Sequence, residues 1–340
     1  LRELASQLVA SLNGERYRLE ASPDEPRLVL NFITPDAPVP YRRRAQATFV
    51  LSIMELPELP AEPAKALYLY LVRALSNMLM VYVPGEGAHF VTLELGHYVE
   101  PEGERFVERL IARIDPIASS VLVIDNRFDE DLEPSLWQGD ALTQALSAAG
   151  KKLAEWDLLP APFPLHEILP PRDLRHVKRL YGIGGLSYGN LSVRKDETRF
   201  WMSASGVDKS RLQKVGRDML LVKDYDADAN AMRLSVPPNV KARRVSVDAI
   251  EHWLIYREHP EVGAIIHVHA WMQGIDSTQF NYPCGTYQLG EAVAEKVRRA
   301  PEPARTVIGL KNHGLTITGR SLDDIFTRIE GKLLKQIPMS

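Results

Sequence analysis

One cysteine, Cys284, stands in 340 residues, which excludes an internal disulfide and fits a reducing compartment, the cytoplasm. Charge of one sign is missing too. The 41 Lys and Arg against 44 Asp and Glu leave a formal net charge of −3, so the balance gives no support to nucleic-acid binding. Arg42-Arg43-Arg44 reads as a solvated loop rather than a basic patch. No apolar run approaches the roughly 20 residues of a membrane-spanning helix. No signal peptide is visible, although the chain opens on Leu1 rather than Met. The first half also lacks GxGxxG, a P-loop and paired catalytic carboxylates.

What is present suits two domains. Leu158-Leu159-Pro160-Ala161-Pro162-Phe163-Pro164, followed by Pro170-Pro171, is too proline-rich for regular structure and reads as a linker over residues 158–172. It separates an α/β accessory domain of unknown role, residues 1–157, from a second domain, residues 173–340. In the first, period-2 patterns predict strands at Arg27–Ile33, Ala47–Leu56, Met80–Val83, His89–Leu95 and Val121–Asp125. Helical spacing predicts Glu62–Met78, Glu104–Ile114 and Gly139–Trp156, with Leu67, Leu71, Ala74 and Leu75 as a core stripe. Pro84-Gly85-Glu86-Gly87 is a hairpin signal. His89 and His97, a strand apart, read as incidental.

The second half carries the chemistry. In Gly263-Ala264-Ile265-Ile266-His267-Val268-His269-Ala270 two histidines interrupt an apolar run at a separation of two, so on a buried strand both point to one face. Taken alone, such a pair is more often structural than metal-binding. Asp248 begins a predicted helix, Val247–Glu258, where capping is its common role. His313, before Gly314, suits a turn. Together, three neutral nitrogens and one carboxylate oxygen make the ligand set of a catalytic divalent-metal site. His252 shares a helix face with Asp248 and reads as partly exposed; His259, before Pro260, reads as a C-terminal cap. A helix Leu174–Tyr181 precedes the glycine-rich stretch Gly182–Asn190, followed by strands Leu191–Arg194, Thr198–Met202 and Met219–Lys223. Glycines among small hydroxyl residues let backbone N–H groups approach an anion, though turns between strands look the same.

Five motifs in order, Gly189-Asn190-Leu191-Ser192-Val193-Arg194, Ser203-Ala204-Ser205-Gly206-Val207-Asp208-Lys209, Ser246-Val247-Asp248, His267-Val268-His269-Ala270 and Asn312-His313-Gly314, resemble the class II aldolase/adducin family over residues 172–335. The resemblance implies a three-layer α/β/α domain around a mostly antiparallel sheet. It implies a divalent metal, zinc first and manganese, cobalt or iron as alternatives, held by His267, His269 and His313. The spacing 267 − 248 = 19 places Asp248 at the family's acidic position. Aldolases there carry Glu as acid/base, and 4-epimerases carry Asp as a metal ligand, so the chain sides with the latter. Phosphate contacts would map to Gly189, Asn190, Ser205, Gly206 and Ser246. Val247 replaces a usual serine, which weakens the case for a phosphorylated substrate.

The resemblance further implies a homo-oligomer, a tetramer in the family, with a small-molecule substrate and neither nucleic acid nor membrane as partner. A neighbouring subunit's tyrosine or acid normally completes the site, yet little chain follows the predicted helix Leu322–Leu334. Tyr282 and Tyr287 could approach the site instead, with packing the commoner role. The leading expectation is an aldolase or epimerase acting on a hydroxy-carbonyl compound, sugar phosphates foremost, through a metal-stabilised enediolate. A mononuclear non-haem Fe(II) oxygenase on the same scaffold comes second, and a non-catalytic adducin-like interaction protein third.

Overall fold

The protein is described here by a computed structural model at residues 1–13, 17–18, 26–43, 47–92, 96–158, 165–175 and 189–340. The chain divides into two compact units, Leu1–Ser119 with Ala161–Val177 and Met339–Ser340, and Ser120–Pro160 with Lys178–Pro338.

The first unit carries helix α1 (Arg2–Leu12) and a five-stranded sheet in the order β1 (Leu28–Phe32), β2 (Phe49–Glu55), β3 (Met78–Val83), β4 (Gly87–Thr92), β5 (His97–Pro101). Strands β1, β2 and β3 run parallel, and helix α2 (Pro63–Arg73) makes the crossover that parallel β2 and β3 require. Of the anticipated stripe, Leu67, Leu71 and Ala74 are fully buried and Leu75 is half-buried. Helix α2 stops short of the expected Met78 because β3 begins there, after Leu75 turns to φ 56°. The Pro84–Gly87 hairpin joins β3 to antiparallel β4, and helix α3 (Phe106–Ala118) packs on α1 and β5. His89 and His97 are not incidental neighbours. They lie diagonally across β4 and β5 with Nδ1 and Nε2 3.1 Å apart, and burial lowers both pKa values.

The second unit is a nine-stranded sheet in the order β12 (Asp276–Ser277), β13 (Val307–Leu310), β14 (Gly314–Gly319), β11 (Ala264–Val268), β7 (Gly189–Arg194), β8 (Phe200–Ser203), β9 (Met219–Asp226), β10 (Ala231–Ser235), β6 (Asp125–Asp129). Every pairing is antiparallel except those of the two edge strands, β12 with β13 and β6 with β10. Helices α4 (Ala141–Glu155), α5 (Ala249–Glu258), α6 (Tyr287–Arg299) and α7 (Leu322–Ile329) cover it. Alternation along β7 sorts them into layers. Ser192 bonds to α5, while Trp201, paired with Val193, bonds to the start of α4. Helices α4 and α7 pack together, as do α5 and α6, which gives the three α/β/α layers.

Trp201 anchors the α4 layer. It is fully buried and its Nε1 donates to Asp140, the N-cap of α4, at 3.3 Å. Trp201→Ala is expected to cost about 3–5 kcal/mol, measurable as a lowered urea midpoint.

The division anticipated at the proline-rich segment, with residues 1–157 as one domain and 173–340 as the other, falls elsewhere. Residues 120–158 pack with the second unit. The strand expected at Val121–Asp125 is β6, Asp125–Asp129, and its ladder partner is β10 of the second sheet. Helix α4 buries Leu146, Ala149 and Leu153 in the same core. Prolines break backbone regularity but do not decide which core a flanking segment joins. Residues 159–164 of the expected linker lie outside the described residues. Leu165–Ile168 is one helical turn, and residues 171–175 are helical. The rest of the helix expected at Leu174–Tyr181, and residues 182–188 of the glycine-rich stretch, also lie outside them. No helix among the described residues is long and apolar enough to cross a membrane.

Candidate metal centre

Strand β11 sits at the middle of the sheet, and its register sets the site. His267 pairs with Asn190 on β7 and with Thr316 on β14, so one row across the sheet reads Asn190, His267, Thr316 on the α5 side. His269 follows just past the strand end. His313 lies in the tight β13–β14 connection, where Asn312 takes φ 57° and the His313 N–H returns to the Leu310 carbonyl. These positions bring the three imidazoles together, with ring centroids 5.0 Å apart in each pair. One nitrogen from each lies within 4.8 Å of the other two.

The chemistry of this donor set fits a divalent ion. His267 Nδ1 donates to the Leu315 carbonyl at 3.0 Å, which fixes the tautomer and turns a lone pair on Nε2 toward His313, whose Nε2 is 3.1 Å away. Burial drives the His267 pKa well below its ordinary value and lowers that of His313, which favours the neutral form that ligation requires.

Asp248 stands beside this triad and not in it. Of the four ligands expected from the sequence, the three histidines form the group of mutually close donor atoms, and Asp248 lies beside it with both carboxylate oxygens hydrogen-bonded. Oδ2 accepts from Asn190 Nδ2 at 2.6 Å and Oδ1 from Cys284 Sγ at 2.8 Å. Asp248 does occupy the N-cap position of α5, yet its side chain makes no capping bond. Burial alone would raise its pKa, but His267, His313, Cys284 and His252 outweigh that and hold it ionised.

Helix α5 is fastened to β7 by polar rungs. Four helical residues rise about 6 Å and two strand residues about 6.6 Å, so Asp248, His252 and Tyr256 keep step with Asn190, Ser192 and Arg194. Ser192 Oγ bonds His252 Nδ1 at 2.7 Å and the Tyr256 hydroxyl at 2.8 Å. Arg194 binds the Tyr256 and His259 carbonyls at 2.7 Å each, closing the C-terminal end that His259 caps. His252 is therefore fully buried and not partly exposed as expected. Burial pushes its pKa down to about 4, against the pull of Asp248 and from an ordinary 6.5. Between those values the unfolded chain binds more protons, so the stability is full above pH ~6.5 and falls as the pH drops through this window. For His252 alone the loss is on the order of 3 kcal/mol. Urea midpoints near neutral pH and near pH ~5 should show it, and His252→Gln should flatten the dependence.

The expected phosphate contacts separate into two groups. Ser205 and Ser246 lie on two segments joined by the antiparallel Ala204–Val245 bridge, with Ser205 N–H on the Arg244 carbonyl, Ser246 N–H on the Ser203 carbonyl and Gly206 turning at φ 68°. Asn190 is committed to Asp248, although its Oδ1 is buried with no partner. Gly189 has a packing role: at φ 124°, a Cβ there would lie 1.9 Å from the His267 carbonyl oxygen. Tyr282 packs on Phe280 and Tyr287 on Tyr225.

Three residues near the site were given no role in it by the sequence. Cys284 is one. Lys209, 4% exposed, has its pKa pushed down to about 8 by burial against the opposing charges of Asp248 and Asp208. Glu251, 2% exposed, accepts from Thr316 Oγ1 and is pushed up to about 8 by burial and by Asp248. A buried Lys or Glu on a helix reads in one dimension as a solvated charge; only the fold brings it inside.

Comparisons place this half of the chain among known proteins. Residues 175–331 match the family model for the class II aldolase and adducin N-terminal domain. Methylthioribulose-1-phosphate dehydratase of Citrobacter koseri is 26% identical over 172 residues, which cover 42% of this chain and 78% of that protein. Its counterpart in Leptospira interrogans is 35% identical over 107 residues, covering 30% and 40%. The L-fuculose-1-phosphate aldolase structure from Thermus thermophilus aligns over 55% of this chain and 86% of its own, at 18% identity and a TM-score of 0.35.

Proposed function

We propose, for a chain whose C-terminal half belongs to the class II aldolase and adducin family, that this half is a divalent-metal-dependent lyase for a small phosphorylated hydroxy-carbonyl compound, of the dehydratase kind. The observation that carries the reading is the convergence of His267, His269 and His313 beside an ionised, doubly bonded Asp248. Three imidazoles with a free position are the donor set of a catalytic zinc site, which makes zinc the first choice over manganese, cobalt or iron. That ion supplies Lewis acidity toward a carbonyl and its neighbouring oxygen.

The chain's own residues do the rest. Asp248 is the group placed to take a proton from the carbon next to the carbonyl and to return it to the departing hydroxyl. Asn190 and Cys284 keep it aimed, while His267, His313 and the Cys284 thiol lower its pKa. Ser205, Gly206 and Ser246 offer donors for the phosphate at one end of the substrate. The row Asn190, His267, Thr316 forms a dry floor in which these charges act at low dielectric. Loss of water starts with that proton on the carbon next to the carbonyl, whereas carbon–carbon cleavage, and epimerisation through it, start with the proton of the hydroxyl one carbon further on; both put negative charge on the carbonyl oxygen. The relatives named for methylthioribulose-1-phosphate favour loss of water.

The test is turnover of methylthioribulose 1-phosphate and of fuculose 1-phosphate by protein reconstituted with zinc, manganese or cobalt. Dehydration of the first supports the proposal. Cleavage of the second alone would favour an aldolase, and inertness toward both with every metal would overturn it. We also expect a homo-oligomer, a tetramer by family likeness, which sedimentation equilibrium would reveal.

A further inference from the structure

We propose that Cys284 is a positioning residue: its thiol, together with the Asn190 amide, holds the Asp248 carboxylate beside the histidine triad and out of its coordination shell. This rests on the metal reading above and adds a residue to it. Each carboxylate oxygen has its own donor from a different element, Asn190 from strand β7 at 2.6 Å and Cys284 from the loop before α6 at 2.8 Å. Two points fix the plane and the rotation of the group. An aspartate at an N-cap would by default turn to the helix's own N–H groups; here it makes no such bond. The strand and loop donors outcompete the cap.

The loop that brings the thiol is itself held. Gly285, at φ 76°, comes so close to Val247 that a Cβ would lie 2.8 Å from the Val247 Cβ, which locks Cys284 against the residue before Asp248. The Gly285 carbonyl accepts from Val123 N–H at 2.8 Å, Thr286 Oγ1 donates to the Pro283 carbonyl at 2.7 Å, and Tyr287 N–H donates to the Val121 carbonyl at 3.0 Å. The thiol therefore cannot follow the carboxylate if it moves. On the other side, Asn190 Oδ1 is buried without a partner, so the amide spends its donor on Asp248 at the expense of its own acceptor. Aspartate is the shortest acidic side chain, and two fixed donors are enough to hold it away from the ion.

Cobalt(II) in the full chain tests this, because its visible d–d bands weaken as the coordination number rises. Wild type and Cys284→Ser, which keeps a donor, should give the same spectrum. Cys284→Ala should free the carboxylate to join the ion: the bands weaken, and zinc affinity by chelator competition tightens by at least about tenfold, a gain of roughly 1.4 kcal/mol. Adding Asp248→Asn to Cys284→Ala should restore the wild-type spectrum, since no carboxylate remains to move. Cys284→Val serves as the donor-free variant if Cys284→Ala does not fold. Unchanged spectra in the donor-free variant would overturn the proposal, as would a change that persists in the double variant, which would make the thiol itself a ligand. A wild-type chain that takes up no cobalt would overturn the metal reading and this role with it. Normal uptake with unchanged spectra would overturn the positioning role alone.

Discussion

Asp248→Asn is expected to cut turnover by about 10²–10⁴-fold, the range for loss of a general acid/base, while leaving the bound metal within about tenfold of its wild-type affinity, the low end of an outer-partner effect. The two halves of that result come from one geometry. The carboxylate lies outside the set of mutually close nitrogens, with both oxygens bonded to Asn190 and Cys284. The substituted amide is nearly isosteric and can still accept a hydrogen bond on its oxygen, so packing survives, but it cannot carry a proton between carbon and oxygen. Metal analysis of the purified variant beside a turnover assay checks both halves. Metal lost in proportion to activity would return Asp248 to the ligand set.

His267→Ala should do the opposite and empty the centre, with affinity weakened by at least about a hundredfold, beyond what second partners of ligands contribute. His267 is the hinge of the triad. It lies in the central strand between Asn190 and Thr316, its Nδ1 is tied to the Leu315 carbonyl, and its Nε2 is 3.1 Å from that of His313. Removing the ring also leaves the Leu315 carbonyl without that donor, at a cost of about 1–3 kcal/mol. Circular dichroism therefore belongs beside the metal titration. A folded variant that keeps its metal would dissolve the site.

The triad was legible in the sequence because strand period puts residues 267 and 269 on one face and a turn residue before glycine can meet that face. Family likeness then reinforced the grouping with His313, which the donor types had already suggested. Cys284 was not legible: its bond to Asp248 spans 36 residues and follows no helical or strand period. Helix α6 was missed although Thr286 caps it and Leu289, Val293 and Val297 form its buried stripe. Tyr287, expected in a loop, is instead its first residue. The strand before the proline-rich segment was seen in outline, but its partnership was not, because edge pairing to a distant strand leaves no local mark. His252 and Glu251 failed for a related reason: burial of a polar helix residue depends on what lies across from it, here Ser192 and Thr316.

Strand β6 also sets an order of events during synthesis. It and α4 leave the ribosome with no partner strand, because β10 begins at Ala231 and β7 at Gly189. Until those arrive, the apolar stripe of Leu146, Ala149 and Leu153 has nothing of its own unit to cover it. Meanwhile the described residues between them, 165–175, go to the other unit. Nascent chains arrested just before residue 189 should therefore be the most dependent on chaperones, and their release should follow completion of the β10–β6 edge.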